Sequence, residues 1–156
     1  MSLPPIGEPA PDFTLPDQQG QPRSLRDFRG QIVVLYFYPR AMTPGCTVQA
    51  CGIRDSRQAL AEAGVTVLGV SPDPSPRLAK FEEKQQLNFL LLSDEDHDVT
   101  KRYGVWGPKK FMGREFLGVK RSTFIIDREG VLRHVLAKVN TKTHHEDVLA
   151  LARELG

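Results

Sequence analysis

The sequence predicts an α/β fold: a central mixed β-sheet flanked by helices, with a small N-terminal hairpin. Three observations carry that expectation. Residues 31–38 (QIVVLYFY) and 65–70 (VTVLGV) are β-branched and aromatic runs without a charge, as strands buried on both faces are. Charged, amphipathic stretches of helical length follow each of them, so strand alternates with helix and the strands should run parallel. Two later strands then meet across Asp127-Arg128-Glu129-Gly130, a turn short enough to require antiparallel pairing.

Taken in order, the first eleven residues hold four prolines and read as an extended arm. Phe13-Thr14-Leu15 and residues 21–24 form a small hairpin across Asp17-Gln18-Gln19-Gly20, and residues 24–29 a helical turn. The central strand stops at Pro39. Thr43 fits a helix N-cap and Pro44 the first helical position, where a missing N–H costs nothing. This helix should run to about Ala63 and end at Gly64. After strand 65–70, the turn Ser71-Pro72-Asp73-Pro74-Ser75-Pro76 starts a charged helix over 77–86. Residues 89–92 (FLLL) make a short strand, and 94–103 a polar helix that ends at Gly104. Residues 105–120, rich in glycine and carrying Trp106, Phe111 and Phe116, read as a long aromatic loop, packed onto the body or serving as a lid or docking surface. Strands follow at 121–127 and 131–139. The last helix, 144–155, offers Val148, Leu149, Leu151, Ala152 and Leu155 for burial.

At 156 residues the chain is expected to form one domain, 1–156, large enough to bury roughly two-thirds of its unfolded surface. Lys and Arg outnumber Asp and Glu by only 21 to 19, which argues against a nucleic-acid module with its concentrated basic face. No apolar run reaches the ~18 residues of a membrane span, and the first residues lack the basic-then-apolar form of a signal peptide. Two cysteines are too few for a secreted disulfide scaffold. A cytoplasmic domain without a membrane partner is the expectation.

The chemistry concentrates in residues 36–51, which hold both cysteines. Cys46 is the third residue of its helix. Unpaired backbone N–H groups and the positive end of the helix dipole favour an anion there, which biases a thiol toward thiolate. A free thiol of pKa ~8.5 is only about 3% ionised at pH 7, and a two-unit reduction takes about 2.7 kcal/mol. The dipole supplies ~1 kcal/mol, so a further donor, naturally a cation, is needed. Cys51 lies five residues on. In a helix that offset puts the two Cα atoms about 9 Å apart, beyond the ~7 Å a disulfide tolerates. Cys46, Ala50, Ile53 and Leu60 share an apolar stripe, whereas Cys51, Asp55, Gln58 and Glu62 share a polar one. Packing accounts for Cys46 and poorly for Cys51. Two small core residues in a reduced protein is the plain alternative. Zinc fits badly, because C-x4-C has the wrong spacing and no second pair, so no metal or other cofactor is expected.

Pro39-x-x-x-Thr43-x-x-Cys46 resembles the P-x-x-x-[TS]-x-x-C active-site signature of the peroxiredoxins. The longer run YFYPRAMTPGCTVQACGIRD resembles the bacterioferritin comigratory protein, or peroxiredoxin Q, branch, and the similarity extends from PAPDF near the start to the last helix. The resemblance implies a thioredoxin-like fold, which the element order also suits. It implies a thiol-specific peroxidase for hydrogen peroxide and organic hydroperoxides, with Cys46 the peroxidatic thiol that becomes sulfenic acid. Arg121, at the head of the apolar strand Arg-Ser-Thr-Phe-Ile-Ile-Asp, matches the family's strand arginine and is the implied cation; Arg40, nearer in sequence, ranks below it. Thr43, with the backbone N–H groups of Gly45 and Cys46, would bind the O–O unit. Pro39 would shield the thiolate, or simply terminate the strand. Gln49 faces the same side as Cys46 and could orient Arg121, or be an ordinary solvated glutamine. Cys51 becomes the resolving cysteine, forming an intramolecular disulfide that thioredoxin, or a similar dithiol, reduces. That step requires the first turns of the helix to unwind, between Gly45 and Gly52. With both cysteines on one helix, a monomer suffices.

Two other readings remain open from sequence: a thiol–disulfide oxidoreductase or redox sensor on the same fold, and a non-catalytic binding or holdase domain with incidental cysteines. Peroxide consumption by the purified protein with dithiothreitol separates the three.

Overall fold

The computed structural model describes residues 3–155. Its centre is β3 (Ile32–Phe37), in which every residue is buried. Side chains alternate across a strand, and here the alternation divides the interior in two. Ile32, Val34 and Tyr36, continued by Tyr38, belong to one apolar cluster; Val33, Leu35 and Phe37 belong to the other. Each such side chain contributes about 1.5–3 kcal/mol by leaving water, which is why an uncharged run becomes the middle strand and not an edge.

The main sheet has the order β5-β4-β3-β8-β9, with β4 at Val65–Ser71, β5 at Leu90–Ser93, β8 at Ser122–Ile126 and β9 at Leu132–Leu136. β3, β4 and β5 are parallel; β8 is antiparallel to β3, and β9 to β8. It is a mixed sheet, as the sequence predicts. On one face pack α1 (Pro44–Asp55), α3 (Ser75–Gln85) and α5 (His144–Leu155), through Ala50, Ile53, Leu78, Phe81, Val148 and Ala152. The other face is closed by Phe13, Leu15 and Leu25 from the N-terminal segment and by Val99, Tyr103 and Val105.

β1 (Thr14–Pro16) and β2 (Pro22–Ser24) form the N-terminal hairpin, followed by a 3-10 turn at Leu25–Phe28. The turns of this hairpin and of β8–β9 are built alike. Asp17 accepts the backbone N–H groups of Gln19 and Gln21 and the guanidinium of Arg23. Asp127 accepts those of Glu129 and Val131 and the guanidinium of Arg133. The shared pattern D-x-x-G-x-x-R fixes both reversals by the same Asx chemistry.

The structure differs from the sequence expectation in three places. The helix expected to reach Ala63 breaks at Ser56, and α2 (Arg57–Glu62) begins a new segment. The Ser56 N–H is shared between the Gly52 and Ile53 carbonyls, a frayed helix end. The polar helix expected over 94–103 is shorter, α4 (Asp98–Arg102), because the buried Asp94 carboxylate caps the Val99 and Thr100 N–H groups from outside it. The expected loop 105–120 is an antiparallel ribbon, β6 (Trp106–Phe111) and β7 (Arg114–Val119), closed at Met112 and Gly113, both at positive φ. β7 is exposed over most of its length, so the ribbon never shows the alternation that marks a half-buried strand. The side chain of Phe111 lies outside the described residues.

Candidate active site

Strand polarity assembles the site. β3 delivers Pro39 at its carboxyl end. β8 runs the opposite way with Phe37 opposite Ser122, so its first flanking residue, Arg121, arrives at the same end. α1 starts there too, with Thr43 in the extended N-cap conformation and Pro44 at the first helical position. Cys46 is therefore in the first turn of α1, 2% exposed, and its thiol is free.

Arg121 Nη2 donates to Cys46 Sγ at 3.3 Å, while Nη1 donates to Gln49 Oε1 at 2.6 Å. One planar guanidinium thus bridges two side chains one turn apart on the same face of α1, with a fixed fork that a lysine lacks. Gly45 lies alongside: a Cβ there would sit 3.4 Å from Arg121 Nη2, at ordinary van der Waals contact. Gln49 is completely buried, not solvated. The Thr43 hydroxyl makes no capping bond and donates instead to the Arg40 carbonyl at 2.9 Å, which leaves its oxygen lone pairs to accept. Pro39, Thr43, Gly45 and Arg121 are each half-buried, so the sulfur sits just beneath the surface.

The loop between β3 and α1 is held by residues that carried no signal in the sequence. The Ala41 N–H donates to Asp73 Oδ2 at 2.7 Å, and Arg77 Nη2 donates to the Ala41 carbonyl at 3.1 Å. Asp73 also accepts from Ser71 Oγ at 2.8 Å and pairs with Arg77 Nε at 3.0 Å. Between these anchors Met42 is forced to φ 67°, a left-handed conformation uncommon for a residue with a long side chain. The ribbon adds a second cation. Lys109 Nζ donates to the Val119 carbonyl at 2.9 Å, and burial, then the nearby Arg121 charge, push its pKa down. Beneath the thiol, Tyr36 is wholly buried, and burial, followed by its neighbours Tyr38 and Cys46, drives its hydroxyl well above the usual range.

Cys51 is half-buried on the far side of α1, where Sγ–H donates to Gln85 Oε1 at 3.6 Å. The two cysteines are separate thiols on different faces of one helix. Among the described residues no group of three or more His, Cys, Asp or Glu side chains comes together as a metal site, and no helix is long and apolar enough to cross a membrane. A buried sulfur met by a guanidinium in the first turn of a helix is arranged to attack a polarised oxygen or sulfur atom and to stabilise the charge that leaves.

The chain matches the AhpC/TSA family over residues 6–135. It is 53% identical over 148 residues to peroxiredoxin Bcp of Escherichia coli, covering 95% of each chain. Among solved structures it is similar to peroxidoxin BcpB of Mycobacterium tuberculosis, with a TM-score of 0.85, 38% identity and 97% of both chains covered. It is also similar to the bacterioferritin comigratory protein of Xanthomonas campestris, with a TM-score of 0.86, 32% identity and 91% and 90% coverage.

Proposed function

The chain belongs to the AhpC/TSA family, on its peroxiredoxin Bcp branch, and from that premise we propose that Cys46 is the atom on which its thiol peroxidase chemistry turns. The single observation that carries the assignment is the 3.3 Å bond from Arg121 to Cys46 Sγ in the first turn of α1. The Cys46 thiolate attacks the terminal oxygen of ROOH: the S–O bond forms as the O–O bond breaks, and RO⁻ departs and takes a proton from solvent to give ROH. Thr43, its own proton committed to Arg40, accepts the hydrogen bond of the attacked OH. Arg121 and the Gly45 and Cys46 N–H groups stabilise the departing oxygen. Depressing a thiol's pKa also weakens it as a nucleophile, so this field, more than the thiolate fraction, accelerates the step. Pro39 limits water at the sulfur.

Cys51 then condenses with the sulfenic acid, Cys46-SOH and Cys51-SH giving a disulfide and water. Their positions on different faces of α1 support unwinding of its first turns in each cycle. A thioredoxin-type dithiol supplies the two electrons that restore both thiols. The Xanthomonas campestris relative has alkyl peroxide reduction activity, which supports organic hydroperoxides as substrates beside hydrogen peroxide. Because both cysteines lie on one helix, the cycle needs no partner subunit, which supports a single-domain monomer working in the cytoplasm, where thioredoxin keeps thiols reduced.

Stopped-flow peroxide consumption tests the scheme. Cys46→Ser should abolish turnover, whereas Cys51→Ser should reduce one equivalent of peroxide and stall as sulfenate in the presence of thioredoxin. Peroxide treatment of the native protein should remove two hydrogens from the mass of a monomer. Turnover surviving in Cys46→Ser would remove the central assignment.

A further inference from the structure

The Cys46–Arg121–Gln49 chain does not stop at Gln49. Gln49 Nε2 meets His144 Nδ1 at 3.2 Å, and His144 Nε2 meets Thr123 Oγ1 at 2.8 Å. Gln49, His144 and Thr123 are all at most 1% exposed. Donor and acceptor roles then follow without choice. Arg121 can only donate, so Gln49 must face it with its carbonyl and turn its NH2 toward His144. The His144 Nδ1 must accept, and its single proton therefore sits on Nε2, directed at Thr123.

We propose that His144, as the neutral Nε2–H tautomer, is a positioning residue for peroxide reduction: its Nδ1 lone pair fixes the Gln49 amide and thereby holds the Arg121 guanidinium on Cys46 Sγ. The inference rests on the reading of Cys46 as the attacking thiol. An imidazolium at this place would point N–H at the Gln49 NH2. The amide would then turn over, set its NH2 against Arg121 and lose the 2.6 Å bond that orients the guanidinium.

The surroundings keep the ring neutral. His144 opens α5, with His145 beside it on the same helix, Arg121 facing it from the β8 end, Cys46 on α1, and the Tyr36 ring packed edge-on at 5.3 Å from β3. Burial first, then the Arg121 and His145 charges, lower its pKa to about 4. Geometry and electrostatics agree on one tautomer.

Long-range proton–nitrogen NMR of the reduced, full-length protein at neutral pH tests this directly. A protonated Nε2 and a bare Nδ1 are expected; an Nδ1–H tautomer or an imidazolium overturns the proposal. Kinetics supply the second arm. In His144→Asn, Oδ1 occupies the place of Nδ1 and still accepts from Gln49, whereas His144→Leu leaves the Gln49 NH2 without a partner. The rate constant for peroxide with Cys46 should fall about tenfold in His144→Leu and recover to within about threefold of the native value in His144→Asn. The thiolate ultraviolet absorbance at fixed pH should follow the same order. Equal loss in both variants, or no loss in His144→Leu, overturns it. If His144→Leu does not fold, the tautomer in the native protein still decides. Failure of the Cys46 reading would show separately, as turnover surviving in Cys46→Ser.

Discussion

At the scale of single residues, Arg121 separates charge from geometry. Its two amino groups serve different acceptors, Cys46 Sγ and Gln49 Oε1, so a lysine keeps the charge and loses the rigid fork. Arg121→Met should lower the rate constant for peroxide by about 10²- to 10³-fold, the usual loss for one preorganised donor to a developing oxyanion. Arg121→Lys should fall between that and the native value, and stopped-flow measurement under single turnover checks both. An Arg121→Lys variant with the native rate would mean that charge alone suffices. The sequence shows Arg121 because a cation at the head of an apolar strand is conspicuous. It offers Gln49 as a partner for Arg121 without deciding against an ordinary solvated glutamine, and it hides His144. A glutamine at helical spacing reads as surface until its partner is known, and that partner lies 95 residues away in the chain. Buried polar networks are specified by contacts distant in sequence, and periodicity carries no trace of them.

At the scale of elements, α1 and the β6–β7 ribbon teach opposite lessons. The caps and the stripe of α1 are local, so its start and its buried face were legible; its break at Ser56 is not local and was missed. The break has a function under the proposed cycle. Arg54 donates to the Gln85 carbonyl at 2.6 Å, and Asn88 Nδ2 donates back to the Arg54 carbonyl at 3.2 Å, tying the end of α1 to the last residue of α3 and the segment after it. Unwinding that lets Cys51 reach Cys46 should stop at this tie. Hydrogen exchange on the peroxide-oxidised protein should show lost protection at residues 46–52 and retained protection at 57–62 and in α5. Uniform loss along α1 and α2 would place the hinge elsewhere. The ribbon escaped sequence reading because glycine, proline and lysine suppress strand propensity, yet its turn has a local remedy. Met112 is 88% exposed at φ 52°, and Asn tolerates that region better. Met112→Asn should stabilise the ribbon by about 0.5–1 kcal/mol and Gly113→Ala weaken it by about 1 kcal/mol, read from exchange of the β6–β7 amides.

At the scale of the whole molecule, the mixed sheet converges the site: the antiparallel pair β8–β9 brings Arg121 to the carboxyl end of β3 and then returns the chain so that α5 begins beside Thr123. Strand composition made the sheet legible, but only pairing puts residues 39, 121 and 144 at one end. Building catalysis on buried ionisable groups ties stability to pH. His144 falls from 6.5 to about 4 on folding because burial, then Arg121 and His145, disfavour its charge. Its unfolded form binds a proton near pH 6.5 and its folded form does not, so stability is full above that pH and is lost as pH falls toward 4. The loss from this group reaches about 3 kcal/mol, a large part of the ~5–15 kcal/mol of an ordinary domain. Asp17 and Asp127 act with the same sign further down. Burial raises each carboxyl, but the guanidinium and backbone N–H groups around it outweigh burial and hold it below 3.8. Their stabilisation is present above 3.8 and disappears below it, which adds a second, more acidic decline. Urea unfolding of the reduced protein should therefore show a midpoint that is flat above about pH 7 and drops between pH 6.5 and 4. His144→Asn, which has no ring to protonate, should flatten that first drop and leave the second. A native midpoint unchanged down to pH 4 would mean that the folded His144 ring takes up its proton as readily as the unfolded one, and that burial does not hold it neutral.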